Sequence, residues 1–165
     1  PPVMTVWEIA SMGRYPHLNW WGTMTKTDQE IVQRVLEELG LSPWANQAAE
    51  LRSDGQKQLI HLARAIIQET PHLLLDEPTT HLDVHHSFQL WKWLKSIAVE
   101  QNKTIVLTTH DIEKALDLCD QILVMQPEKS SWGTPEELVE RGVFNQLFDP
   151  NLVSFNQQTR QFKMP

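Results

Sequence analysis

The chain has 165 residues, 41% of them hydrophobic, which suits one domain with a single buried core. Lys and Arg total 14 against 21 Asp and Glu, and the formal charge of −7 is the wrong sign for a sequence-blind nucleic-acid binder, so no nucleic-acid partner is expected. One cysteine, Cys119, excludes an internal disulfide, and no signal peptide or bilayer-length apolar run occurs, which makes the cytoplasm the expected compartment.

Pro1-Pro2-Val3 offers no initiator methionine and leads directly into a helix signal, so a preceding N-terminal portion is expected. Thr5-Val6-Trp7-Glu8 fits a capping box opening a short helix to about Met12, stopped by Gly13. Arg14 to Met24 mixes polar and aromatic residues without periodicity and reads as a loop. Thr27 to Glu30 repeats the capping-box pattern, and Ile31, Val35, Leu36 and Leu39 follow at helical spacing up to Gly40. A second long helix is expected from about Gly55 to Gln68, with Leu59, Leu62, Ala63 and Ile66 on one face. Of seven tryptophans, Trp20, Trp21 and Trp44 stand in polar or turn-like contexts that predict partly exposed packing.

Beyond Pro71 the pattern changes. His72 to Leu75 and Thr104 to Thr108 are short, nearly all-apolar runs, as expected of strands buried on both faces. A helix from about His85 to Glu100 lies between them, and strand–helix–strand implies a parallel crossover. Asp111 can cap a helix through about Leu118, Gln121 to Met125 reads as a third strand, and Thr134-Pro135-Glu136-Glu137 is another capping box with proline at the first helical position. The division expected is therefore a helical stretch over 1–70, an α/β stretch over 71–148, and a tail over 149–165 that forms a small strand pair or hangs free.

Asp76 and Glu77 stand at the carboxyl end of a buried strand, where open parallel sheets place their ligands. An aspartate there can hold Mg²⁺, and its neighbour, pointing elsewhere, can polarise a water for in-line attack on phosphorus. Alone, an Asp-Glu pair ending a strand is more often a solvated turn. His110 ends the next apolar strand, so a parallel arrangement is expected to bring its imidazole near Glu77, as a donor to developing charge. Ser53-Asp54-Gly55-Gln56 opens the second long helix, where free amides and the helix dipole favour an anion; by itself this is simply a capped helix. His81, His85 and His86 crowd one turn, and a solvated helix start is preferred there over a metal site.

In this order and spacing these pieces resemble the nucleotide-binding subunit of an ATP-binding-cassette (ABC) transporter. SDGQ looks like the family signature, LLLDE like the Walker B strand with its catalytic glutamate, THLD like the D-loop, and His110 like the switch histidine. The resemblance covers nearly the whole chain. It implies an α/β fold of the P-loop NTPase type, with a parallel-sheet core and a helical subdomain whose last helix carries the signature. It also implies ATP and Mg²⁺ as cofactors, metal coordination at Asp76, water activation at Glu77 and γ-phosphate sensing at His110. Ser53, Asp54, Gly55 and Gln56 would face ATP held by a second ATPase subunit, and Asp83 would link the two sites across the dimer. Permease subunits would hold the pair peripherally on the inner face of the plasma membrane. TVWEIASMGRYPH and GTPEELVERGVFNQLF look like importers of iron-siderophore, haem or cobalamin complexes.

Departures limit the expectation. No GxxxxGK[ST] phosphate loop occurs in these residues, so the isolated polypeptide is expected to bind ATP weakly and turn it over negligibly. Within the signature, Arg52 and Asp54 occupy the usual leucine and first glycine positions. Competing readings are a soluble ABC-type ATPase of translation or DNA repair, which would normally show paired cassettes or basic arms, and a non-catalytic remnant that binds a partner.

Overall fold

The computed structural model describes residues 3–149 and 151–164, so expectations attached to Pro1, Pro2 and Pro150 lie outside it. The chain divides into two compact units, Pro1–Thr108 and Thr109–Pro165. Residues on both sides of position 70 share one apolar core.

The first unit opens with α1 (Val6–Ser11), whose Thr5 and Glu8 form the expected capping box. The chain then continues in a 3₁₀ turn over Met12–His17, where the sequence predicted an irregular loop. Helix α2 (Lys26–Glu38) begins two residues earlier than its sequence signal: Thr25, not Thr27, is the cap, and Asp28 closes the box in place of Glu30. Asp28 serves because the Thr25 hydroxyl and amide both donate to its carboxylate, at 2.6 and 2.8 Å. Gly40 ends α2 with φ of 67°; its N–H and that of Leu41 return to Glu37 and Leu36, while Leu41 and Leu36 bury their side chains.

Helix α3 (Asp54–Ile67) packs on α1 and α2 through Leu59, Ile60, Leu62, Ala63, Ile66 and Ile67, a stripe that repeats every three or four residues. Strand β1 (His72–Asp76) leads through α4 (Val84–Glu100) to β2 (Thr104–Thr108), and the strands pair in parallel, as predicted, with Leu74 opposite Val106 and Asp76 opposite Thr108. The expectation of burial on both faces is corrected: Leu73 is buried, but Leu74 is 76% exposed and Val106 is exposed beside it. Each strand has one neighbour among the described residues, and only one face of the pair meets the core.

The second unit begins with α5 (Ile112–Leu118), capped by Asp111 as expected. Strand β3 (Ile122–Met125) pairs antiparallel with an unforeseen partner, β4 (Ser130–Gly133), and then α6 (Pro135–Glu140) starts at the Thr134 capping box. The tail forms an antiparallel pair of β5 (Ser154–Asn156) and β6 (Gln161–Lys163). Phe144, Phe155 and Phe162 meet at centroid distances of about 5 Å and close this unit's own core.

A buried charge cluster ties the first unit together. Arg14, 5% exposed, places its guanidinium on Asp28 at 2.8 Å, on Glu69 at 2.7 Å and on the Ile67 carbonyl at 3.0 Å. It thereby joins the 3₁₀ turn to the start of α2 and the end of α3, where Glu69 sits at φ of 54°. The hydroxyl and amide of Thr25, with Arg14 adding to them, hold the Asp28 carboxyl down to about 2 from an ordinary 3.8.

A carboxylate whose folded pKa lies below its unfolded value contributes stability above the unfolded value and loses it as pH falls through the folded one. Unfolding measured across acid pH should therefore show stability lost between pH 3.8 and about 2, and Asp28→Asn should remove that slope. Arg14→Met, which leaves two carboxylates without their cation, should lower Tm by roughly 5–10 °C. A wild-type Tm would contradict the clamp.

Candidate functional site

Asp76 closes β1, and Glu77 turns the chain sharply with φ of 41°. That left-handed conformation is uncommon for a non-glycine residue, and Pro78 opposes it further by pushing its predecessor toward extended backbone. Contacts on three sides hold the turn. The Glu77 N–H donates to Thr108 Oγ1 at 3.0 Å, its carbonyl accepts from Gln58 Nε2 at 2.7 Å, and its carboxylate accepts from the Thr80 hydroxyl at 2.7 Å. The Thr108 hydroxyl donates in turn to Asp76 Oδ1, which the parallel register sets opposite it.

The result is an open hollow of about 350 Å³ lined by Gln58, Asp76, Glu77, Thr80 and His81. Two carboxylates and an amide face one space at the carboxyl edge of a parallel strand pair. Hard oxygen donors of this kind suit Mg²⁺, so the residues present fit a magnesium ion at Asp76. The amides that would cradle a phosphate chain are not supplied here, since no GxxxxGK[ST] loop occurs.

Two residues beyond His81 in sequence, the chain reaches the start of α4. Asp83 caps that helix, accepting from the His86 amide at 2.9 Å and meeting the His86 ring at 2.7 Å. These bonds, the amide first and the ring second, hold its pKa below the usual carboxylate value. His85 stacks edge-on against His86.

The SDGQ segment forms the N-terminus of α3. Ser53 accepts from the Gln56 amide at 3.3 Å, and the Gln56 side chain accepts from the Ser53 amide at 3.2 Å, a reciprocal capping box. Asp54, at the first helical position, lies 3.4 Å from Lys57. Gly55 abuts the segment that follows β1: a Cβ there would stand 2.6 Å from the His81 carbonyl oxygen and 3.3 Å from Leu82. Only glycine permits this approach. Arg52 lays its guanidinium over the Trp44 ring, 5.9 Å from the centroid.

The structure thus brings Asp76 and Glu77 together with Gln58, which sequence reasoning passed over, and with Thr80, which stood in the THLD segment without a role of its own, and backs them with Thr108. Thr108 could have been found from the register of a parallel pair; nothing in the sequence marks Gln58. Ser53, Asp54, Gly55 and Gln56 occupy one helix start, and Asp83 a separate one. His110 does not end β2, which stops at Thr108, but stands on the bend that follows, within the second unit. There it lines another hollow, of about 400 Å³, with Asp111, Ile112, Glu113, Phe148, Val153 and Phe162.

With this geometry in place, similarity to known proteins becomes informative. The ABC transporter family model matches residues 2–80. Residues 2–80 thus resemble the ATP-binding-cassette family, whose members bind ATP, and the fold is similar to the α/β fold of the ABC ATPases. Among curated relatives, it is 33% identical to the petrobactin import ATP-binding protein FpuC of Bacillus anthracis, over 98% of this chain and 60% of the relative. It is 34% identical to the iron(3+)-hydroxamate import ATP-binding protein FhuC of Bacillus subtilis, over 90% of this chain and 55% of the relative. Among solved structures, a transporter described as metal-chelate type, in an inward-facing conformation, aligns with TM-score 0.74 and 31% identity, over 84% of this chain and 56% of the other. A dimeric ATP-binding cassette bound to ADP and Pi aligns with TM-score 0.68 and 26% identity, over 79% and 57%. The chain therefore spans little more than half the length of the proteins it matches.

Gly55→Ala should force its methyl group against the His81 carbonyl and cost about 1–3 kcal/mol, since backbone cannot yield as a side chain does. Chemical denaturation is the measurement; a wild-type midpoint would show that the contact does not hold α3 against the turn after β1.

Proposed function

We propose that this chain is the signature, Walker B and switch portion of an ATP-hydrolysing importer subunit, and that the imported cargo is an iron-siderophore, haem or cobalamin complex. The observation that carries the chemistry is the Glu77 turn, with its backbone held on both sides at the edge of the Asp76 hollow. The import class rests on similarity to the petrobactin and iron-hydroxamate import proteins.

In this reading Asp76 holds Mg²⁺, which when bound offsets charge on the β- and γ-phosphate oxygens. Glu77 orients the attacking water and takes its proton; the Thr80 hydroxyl on its carboxylate fixes which oxygen is turned to that task. His110 donates to the γ-phosphate and stabilises the charge that develops there. Ser53, Gly55 and Gln56 present the amide end of α3 to ATP bound by a second ATPase subunit, with Asp54 beside them kept in register by Lys57. Asp83 carries contact between the two sites, from its position at the cap of α4. Catalysis is positioning and charge stabilisation without a covalent enzyme intermediate.

Two copies closing over two ATP molecules would pull on permease subunits docked to the helical stretch 1–70, and hydrolysis would let them part. No helix among the described residues is long and apolar enough to cross a membrane, so membrane attachment in this reading comes through the permease.

In the intact subunit that carries this sequence, Glu77→Gln should reduce kcat for ATP by at least about 100-fold while ATP still binds. Steady-state hydrolysis and equilibrium nucleotide binding measure the two, and unchanged turnover would remove Glu77 from its role. A purified polypeptide of these 165 residues should show negligible turnover, and robust hydrolysis by it would contradict the need for a phosphate-cradling loop.

A further inference from the structure

Gln58 lies one turn beyond Gly55 on α3, at the i,i+3 spacing that sets both on one helix face. Both meet the segment that follows β1. Gly55 packs against the His81 carbonyl with no room for a side chain. The Gln58 amide spans the same segment: its nitrogen donates to the Glu77 carbonyl at 2.7 Å, and its oxygen accepts from the His81 N–H at 3.3 Å. One planar side chain therefore closes residues 77 and 81 into a single turn and fastens that turn to α3. The Glu77 carbonyl it holds belongs to a peptide in a left-handed conformation that Pro78 disfavours. A local preference for relaxation meets a specific tether.

The geometry points to Gln58 as a positioning residue that locks the SDGQ end of α3 and the Glu77 turn into one rigid body, so that movement at the neighbouring subunit's nucleotide changes the setting of Glu77 at its own. This rests on the proposed role of Glu77. Ser53, Gly55 and Gln56 stand at one end of this body and the Glu77 carboxylate at the other, and the Gln58 amide is the hydrogen-bonded link between them. Loosening it leaves the nucleotide contacts of SDGQ in place but lets the Glu77 backbone relax, which misplaces the carboxylate. The expected signature is a loss in kcat with KM for ATP preserved, together with loss of communication between two sites. A residue that merely supported the fold would instead lower Tm without separating these quantities.

The test compares the intact subunit, assembled with its permease, in wild-type, Gln58→Met and Gln58→Glu forms, with Glu77→Gln as a reference. Met keeps the length and loses both bonds; Glu keeps the acceptor for His81 and loses the donor to Glu77. Both variants should lose about tenfold in kcat with KM for ATP within about twofold, and the Hill coefficient for ATP should fall to 1. Thermal unfolding confirms that each is folded; should Met fail to fold, Glu alone decides. Wild-type kcat and Hill coefficient in a folded Gln58→Glu would overturn the proposal, as would a rise in KM with kcat unchanged. If Glu77→Gln retains full turnover, the catalytic assignment fails; if Glu77→Gln is inactive and the Gln58 variants are normal, the tether alone fails.

Discussion

Helix α3 is gripped at both ends, and the site depends on that grip. At its C-terminus, Arg14 holds the Ile67 carbonyl and Glu69 while bound to Asp28 of α2. At its N-terminus, Gly55 allows the His81 backbone to approach so closely that even a methyl group would clash. Between these contacts the buried stripe from Leu59 to Ile67 fixes the helix rotation. A 14-residue helix with fixed rotation and fixed ends can place an amide group such as that of Gln58 against a chosen carbonyl.

The placement matters because the Glu77 turn is not at rest by itself. Its φ of 41° puts a bulky acid where glycine would sit more easily, and Pro78 adds to the opposition. The surroundings over-determine it through Gln58, Thr80 and Thr108, three residues from three different elements or connections. Such a turn sets the Glu77 carboxylate at the hollow beside that of Asp76, which is anchored to β2 through Thr108. Adjacent acids can then take different tasks, and strain of this kind is what a functional position tends to retain.

Much of this frame was legible in the sequence where the signal was local. Thr5 and Thr134 open helices as their capping boxes announce, and Ser53 and Asp111 cap α3 and α5, because these bonds span three residues. The start of α2 was misplaced for an equally local reason: two overlapping threonines competed, and Asp28 does the work usually assigned to a longer acid. Strand β4 escaped notice because it buries Ser131 and Gly133 and exposes Trp132, the inverse of an apolar alternation. Arg14 reads as a surface charge in a polar-aromatic loop until Asp28 and Glu69, 14 and 55 residues away, are seen around it. Gln58 escaped for the same reason, since its partner Glu77 is 19 residues distant and no periodicity marks it. Motifs exposed the acids of the site, and only tertiary structure exposed what holds them.

In the proposed function Asp76 and Glu77 form the metal and water side of a nucleotide site. Manganese, as a paramagnetic stand-in for magnesium, tests it most directly by electron paramagnetic resonance on the intact subunit with a non-hydrolysable ATP analogue. A protein-bound manganese signal should appear only with nucleotide and be lost in Asp76→Asn. An undiminished signal in that variant would contradict the assignment.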